Sequence, residues 1–127
     1  MADNDLQRAL AGLKQGPGRA VLIVEGSPDQ QARLARLMAV NGHRAIGTST
    51  IEGALAFLQA FPVDLVLLSE QLAGDNPLPV VAEIVGRRPH ARIAIMTAGK
   101  HAPDARFVAL DYVPVTLNSD TLRELLG

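Results

Sequence analysis

The sequence predicts one α/β domain of the doubly wound kind, a five-strand parallel sheet between two helical layers, three layers in all. Two observations carry this. The runs Val21-Leu22-Ile23-Val24, Leu65-Val66-Leu67-Leu68 and Ile93-Ala94-Ile95-Met96 are apolar without interruption, as strands covered on both faces are, where a half-exposed strand would alternate. Between such runs lie segments whose apolar residues recur at helical spacing, and strand–helix alternation argues for parallel βαβ units. The chain has 127 residues, enough for one core and not for two.

The elements follow in order. Residues 3–14 predict a leader helix, with Leu6, Leu10 and Leu13 on one face and Asp3 or Asn4 as its cap. Gly16-Pro17-Gly18 breaks it, so residues 1–18 divide as leader and linker from a domain at 19–127. After the first strand, Ser27 and Pro28 form an N-cap and first-turn pair. Leu34, Leu37 and Met38 mark the buried face of that helix, and Asn41-Gly42 ends it. Residues 44–48 read as a weaker strand. Ser49-Thr50 opens a helix carrying Ala54, Leu55 and Leu58, stopped near Pro62. After the strand at 65–68 comes a helix over 77–87, with Val80, Val81, Ile84 and Val85 expected to face inward. The strand at 93–96 precedes a short, poorly formed helix at 102–109. Residues 112–115 form the last strand and 119–126 the last helix. Pro114 cannot donate to a ladder, which suits an edge strand.

Composition excludes several function classes. Apolar residues make up 48% and charged residues 20%, an ordinary globular balance. One Tyr, three Phe and no Trp leave an aliphatic core. Twelve basic residues against thirteen acidic ones give no electrostatic footprint for nucleic acid or anionic lipid. The chain has no Cys, so disulfides and thiolate metal sites are excluded, which fits a reducing compartment. No apolar stretch approaches the ~18 residues of a membrane span. The N-terminus lacks the apolar region of a signal peptide. The expected location is cytoplasmic.

In an open parallel sheet, sites form beyond the carboxyl ends of the strands. Those ends carry Glu25-Gly26, Ser69, Met96-Thr97-Ala98 and the run Asp111-Tyr112-Val113-Pro114-Val115-Thr116-Leu117. The segment ending in Ser69 reads DLVLLSEQLAGDNPLP. It resembles the third strand of response-regulator receiver domains, and the resemblance extends over about residues 19–126. It implies a flavodoxin-like sheet of order 2-1-3-4-5 and a place in bacterial two-component signal transduction. It also implies a set of degenerate positions. Glu25 and Gly26 fall where the family has an acidic pair that holds Mg²⁺, and Ser69 falls on the phosphoryl-accepting aspartate. Thr97 matches the switch hydroxyl, Tyr112 the switch aromatic, and Val115 replaces the lysine.

Mg²⁺ takes octahedral oxygen ligands, one or two of them carboxylates, and Glu25 alone makes a feeble site. Phosphoryl transfer depends on positioning and charge neutralisation. Losing acceptor, metal ligand and lysine together removes all three parts. The expectation is a phosphorylation-independent pseudo-receiver, not an enzyme, with no cofactor and no metal. It would act through a protein partner or as a homodimer, without nucleic acid or membrane. A small-ligand sensor built on the vacated acidic pocket is the alternative. Glu25 then needs a neighbouring donor, with Ser69, Thr97 and Lys100 as the nearest choices. The candidate interface is the leader, through Leu6, Leu10 and Leu13, together with the last helix, through Leu122, Leu125 and Leu126.

Other motifs read blandly. His43, His90 and His101 have no metal-ligand spacing, and His43 and His90 precede strands, away from Ser69, as exposed loop residues. Ser69 lacks the GxSxG elbow of a serine hydrolase. GPGRAV precedes a strand, whereas a phosphate loop follows one. Arg87-Arg88 suits a solvated helix end, and Asp29 and Glu52 suit first turns.

Overall fold

The structure, a computed structural model, describes residues 18–97 and 111–126. The elements run β1 (Ala20–Val24), α1 (Pro28–Val40), β2 (Arg44–Thr48), α2 (Ile51–Ala60), β3 (Leu65–Ser69), α3 (Glu70–Ala73), α4 (Leu78–Arg87), β4 (Arg92–Thr97), β5 (Asp111–Pro114) and α5 (Ser119–Leu126). The strands form one five-stranded sheet, every pair parallel, in the order β2-β1-β3-β4-β5. This is the expected topology. β5 lies at an edge, where Pro114 withholds no ladder donor that an inner neighbour needs. The leader with Leu6, Leu10 and Leu13, the helix expected at 102–109, Lys100 and His101 all lie outside the described residues.

Strand pleating sorts the core into two layers. Leu22, Val24, Val66 and Leu68 meet Ala54 and Leu58 of α2 and Val81 and Ile84 of α4. The alternate residues Val21, Ile23, Leu65, Leu67, Ala94 and Met96 meet Leu34 and Met38 of α1 and Leu122 and Leu125 of α5. β1 and β3 are buried at every position, which is why their sequences are apolar on both faces.

The local signals act as expected at most helix ends. Ser27 Oγ accepts from the Gln30 N–H at 3.3 Å and Thr50 Oγ1 from the Gly53 N–H at 3.0 Å. Asn118 Oδ1 caps α5 through the Thr121 N–H at 3.0 Å.

Four expectations need correction. Leu122 and Leu125 are 0% and 6% exposed, packed in the core of their own domain, so they are not a free interface. A short helix at the edge of a parallel sheet can bury its stripe completely, because the sheet supplies the apolar floor. Val85 is 42% exposed, although its spacing placed it inward. A one-turn helix, α3, intervenes directly after Ser69 and ends at Gly74, whose φ of 82° stops it. Arg88 is not simply solvated, since its Nε donates to the Leu58 carbonyl at the end of α2 at 2.7 Å. Its neighbour Arg87 pairs with Glu83 one turn back, at 2.7 Å.

Candidate functional site

The sheet register brings three carboxyl ends together. Val24 is paired with Leu68, so Glu25 and Ser69 are the next residues outward on adjacent strands, and Ser69 is paired with Met96. By alternation all three side chains stand on the sheet face that carries α1 and α5. There they line a cleft of about 280 Å³ with Ser27, Gln30, Glu70, Gln71 and Val115.

Two polar side chains in this cleft are more than nine-tenths buried: Glu25 at 7% exposure and Ser69 at 5%. Glu25 Oε1 accepts one hydrogen bond, from the Ser27 backbone N–H at 3.2 Å. The Ser69 hydroxyl has no hydrogen-bond partner among the described residues and makes no cap to α3. Glu70 lies half-buried at the first position of α3 and also lines the cleft.

Not every candidate position enters the cleft. Thr97 is buried at 7% exposure at the end of β4, one residue past Met96, and alternation turns it to the opposite face. Tyr112 is half-buried on β5, paired in register with Ile95. Gly26 is exposed, and a Cβ built on it meets no atom within 4 Å. Of the candidate set, the structure unites Glu25, Ser69 and Val115.

Sequence reading missed the clamp around Val115. The Gln30 Nε2 donates to the Val115 carbonyl at 2.8 Å, and an Arg33 guanidinium nitrogen donates to that same oxygen. Arg33 Nε also donates to Gln30 Oε1 at 3.0 Å. These side chains of α1 hold the turn leading into α5. Gln31 supports the other wall: its Nε2 donates to the Glu25 carbonyl, and it crosses β2 at Gly47, where a Cβ would meet Gln31 Oε1 at 2.4 Å. Glutamine at successive positions on a polar helix face gives no signal of this kind in sequence. Among the described residues no three His, Cys, Asp or Glu side chains come together as a metal site.

The histidines separate as well. His90 is exposed. His43 is half-buried rather than loosely solvated, and its Nδ1 accepts from the Arg19 N–H at 3.0 Å. Burial, then the positive charges of Arg19 and Arg44, hold its pKa below the ordinary 6.5, against an opposing pull from Asp64.

The fold defined by this sheet and cleft is that of CheY-like receiver domains. A receiver domain from Methylobacillus flagellatus superposes with a TM-score of 0.74 at 18% identity, covering 85% of this chain and 95% of that one. A chain in the crystal structure of the histidine kinase ThkA with the response regulator TrrA gives a TM-score of 0.71 at 27% identity, covering 87% of this chain and all of that one, 100%. In sequence, the transcriptional regulatory protein TcrA of Mycobacterium tuberculosis is 30% identical over 135 aligned positions. That alignment takes in 96% of this chain but 51% of the relative, so the chain spans about half the length of the curated relatives it matches. No family model matches the chain. Among the described residues, no helix is long and apolar enough to cross a membrane.

Proposed function

We propose that this chain is a pseudo-receiver of two-component signal transduction: a signalling module that works without an aspartyl phosphate and acts through protein–protein contact, with no catalysis of its own. The observation that carries the reading is Ser69, buried at the end of β3 and facing the cleft, with Gly26 and Val115 at the other degenerate positions. An aspartyl phosphate is an acyl phosphate, and a hydroxyl cannot form one. Glu25 is left as the one carboxylate of the former acidic pair, and a Val115 side chain has no charge to offer a phosphoryl oxygen. The relative is named as a transcriptional regulator, and one neighbouring fold was captured with a histidine kinase. Both support a signalling role here, with a protein partner or a second copy of the chain as the target.

The test is Mg²⁺ with beryllofluoride, followed by amide NMR shifts. The native chain is expected to give no response around Ser69. The combined variant Gly26→Asp, Ser69→Asp, Val115→Lys is expected to gain one, because an Asp at position 26 enters open space. A specific, Mg²⁺-dependent response of the native chain at Glu25 to Ser27 and at Ser69 overturns the proposal.

A further inference from the structure

We infer that the cleft at the carboxyl ends of β1 and β3 is a binding site for a small organic cation rich in N–H donors, a guanidinium or primary ammonium compound. The inference builds on the proposed loss of the aspartyl phosphate, and gives the vacated cleft an occupant.

The argument starts from two largely buried residues, Glu25 and Ser69, whose polar atoms open to the cleft with unused bonding capacity. A carboxylate can accept about four hydrogen bonds and a hydroxyl can both donate and accept. The Glu25 carboxylate is 7% exposed, yet receives one bond, from a neutral backbone N–H at 3.2 Å. The Ser69 hydroxyl is 5% exposed and has no partner among the described residues. A carboxylate in so enclosed a position is stabilised by a counter-charge or by several donors. Both groups face the same cleft, so one donor-rich ligand would satisfy both.

The remaining lining sets the ligand's class. Glu25 brings a carboxylate, and no Lys, Arg or His stands among the described lining residues. An anion such as a nucleotide phosphate meets the wrong charge. Among the described residues no three His, Cys, Asp or Glu side chains meet here, so a divalent metal would rest mainly on water, and MgCl₂ serves as the comparison cation. Gln71 and Ser27 offer neutral acceptors, while Met96 and Val115 form an apolar wall against which a short methylene chain packs. The cleft of about 280 Å³ has room for a small diamine or guanidinoalkane.

The experiment is a titration of the full chain with agmatine, read by amide NMR shifts and by calorimetry. Tetramethylammonium, a cation without N–H donors, and MgCl₂ are run alongside. Agmatine is expected to shift Glu25 to Ser27 and Ser69 to Gln71 saturably. Glu25→Gln keeps an acceptor for the Ser27 N–H and removes the charge, and should weaken binding at least tenfold. Ser69→Ala removes only the unpartnered hydroxyl and should weaken binding about threefold to tenfold. Unchanged stability of both variants by thermal melting assigns these losses to the site. A flat agmatine titration overturns the proposal, as does equal binding of tetramethylammonium or agmatine affinity unchanged in both variants. None of these outcomes depends on beryllofluoride, so the ligand site and the phosphate-free reading fail separately.

Discussion

The two ends of the sheet are built on opposite terms. At the amino end, where β1, β2 and β3 begin, polar groups of Ala20, Asp64, Arg19 and His43 are matched to one another, while the Nε of Arg44 is buried without a hydrogen-bond partner among the described residues. Asp64 Oδ2 accepts from the Ala20 N–H at 2.8 Å, and the Asp64 N–H returns a bond to the Ala20 carbonyl at 2.8 Å. Its carbonyl takes the Arg92 N–H at 3.0 Å, which ties β4 to the same residue. His43 takes the Arg19 N–H, and Gly18 lies against the Gly42 carbonyl. At the carboxyl end, Glu25 and Ser69 are buried more deeply than Asp64. The Glu25 carboxylate takes one N–H, as the Asp64 carboxylate does, and the Ser69 hydroxyl takes none among the described residues. The amino end is therefore a structural rim. The carboxyl end carries polar groups that folding alone does not justify, the usual mark of a site.

Breaking the rim should cost the most at Gly18. Its φ is 81°, and an added Cβ would come 2.0 Å from the Gly42 carbonyl oxygen, which is backbone and cannot step aside. Left-handed strain and overpacking combine. Gly18→Ala should destabilise the domain by about 2–5 kcal/mol, measured by urea unfolding. A loss below about 0.5 kcal/mol would mean that β1 starts elsewhere and that the rim is not fixed by this contact.

A matched pair sharpens the comparison. Asp64→Ala leaves the N–H of the buried Ala20 without its acceptor and should cost about 1–2 kcal/mol. Ser69→Ala deletes a hydroxyl that bonds to nothing described, and should change stability by less than about 0.5 kcal/mol, or raise it. The more buried residue is thus predicted to be the cheaper one to truncate. Equal losses at both positions, in paired denaturant melts, would show that the two ends are not built differently.

The same contrast explains what could be read from sequence. β1, β3 and β4 were legible because burial on both faces leaves only aliphatic residues. The helix starts at Ser27-Pro28 and Thr50 were legible because capping is local chemistry. α3 was not: one turn after a strand has too few residues to show periodicity. Val85 fell at helical spacing with Val81, but periodicity cannot tell the flank of a buried stripe from its centre. The leucines of α5 were read as surplus because sequence does not show how much floor an edge helix finds on the sheet. At the site, Glu25 and Ser69 were found from strand ends, whereas Gln30, Gln31 and Arg33 act over long sequence separations and leave no local pattern. Gly26 was recognised by what stands there in similar sequences, and the open space around it is visible only in the structure.

The smallest effect expected is a titration at the rim. His43 Nδ1 must stay unprotonated to accept from the Arg19 N–H, and burial with the nearby Arg19 and Arg44 lowers its pKa from 6.5. As pH falls through that ordinary value, the unfolded chain takes up this proton before the folded one does. Stability therefore falls with falling pH in the window below about 6.5, and is fully present above it. The side chain is partly solvated, and Asp64 pulls the other way, so the slope is modest. His43→Gln removes the titration and retains a side-chain acceptor. Unfolding free energies of the two proteins between about pH 5 and pH 7.5 should differ by a slope present only in the native chain. Parallel curves would remove His43 from the rim's matched groups. Because His43 lies at the opposite end of the sheet from Glu25, the substitution should also leave agmatine binding unchanged.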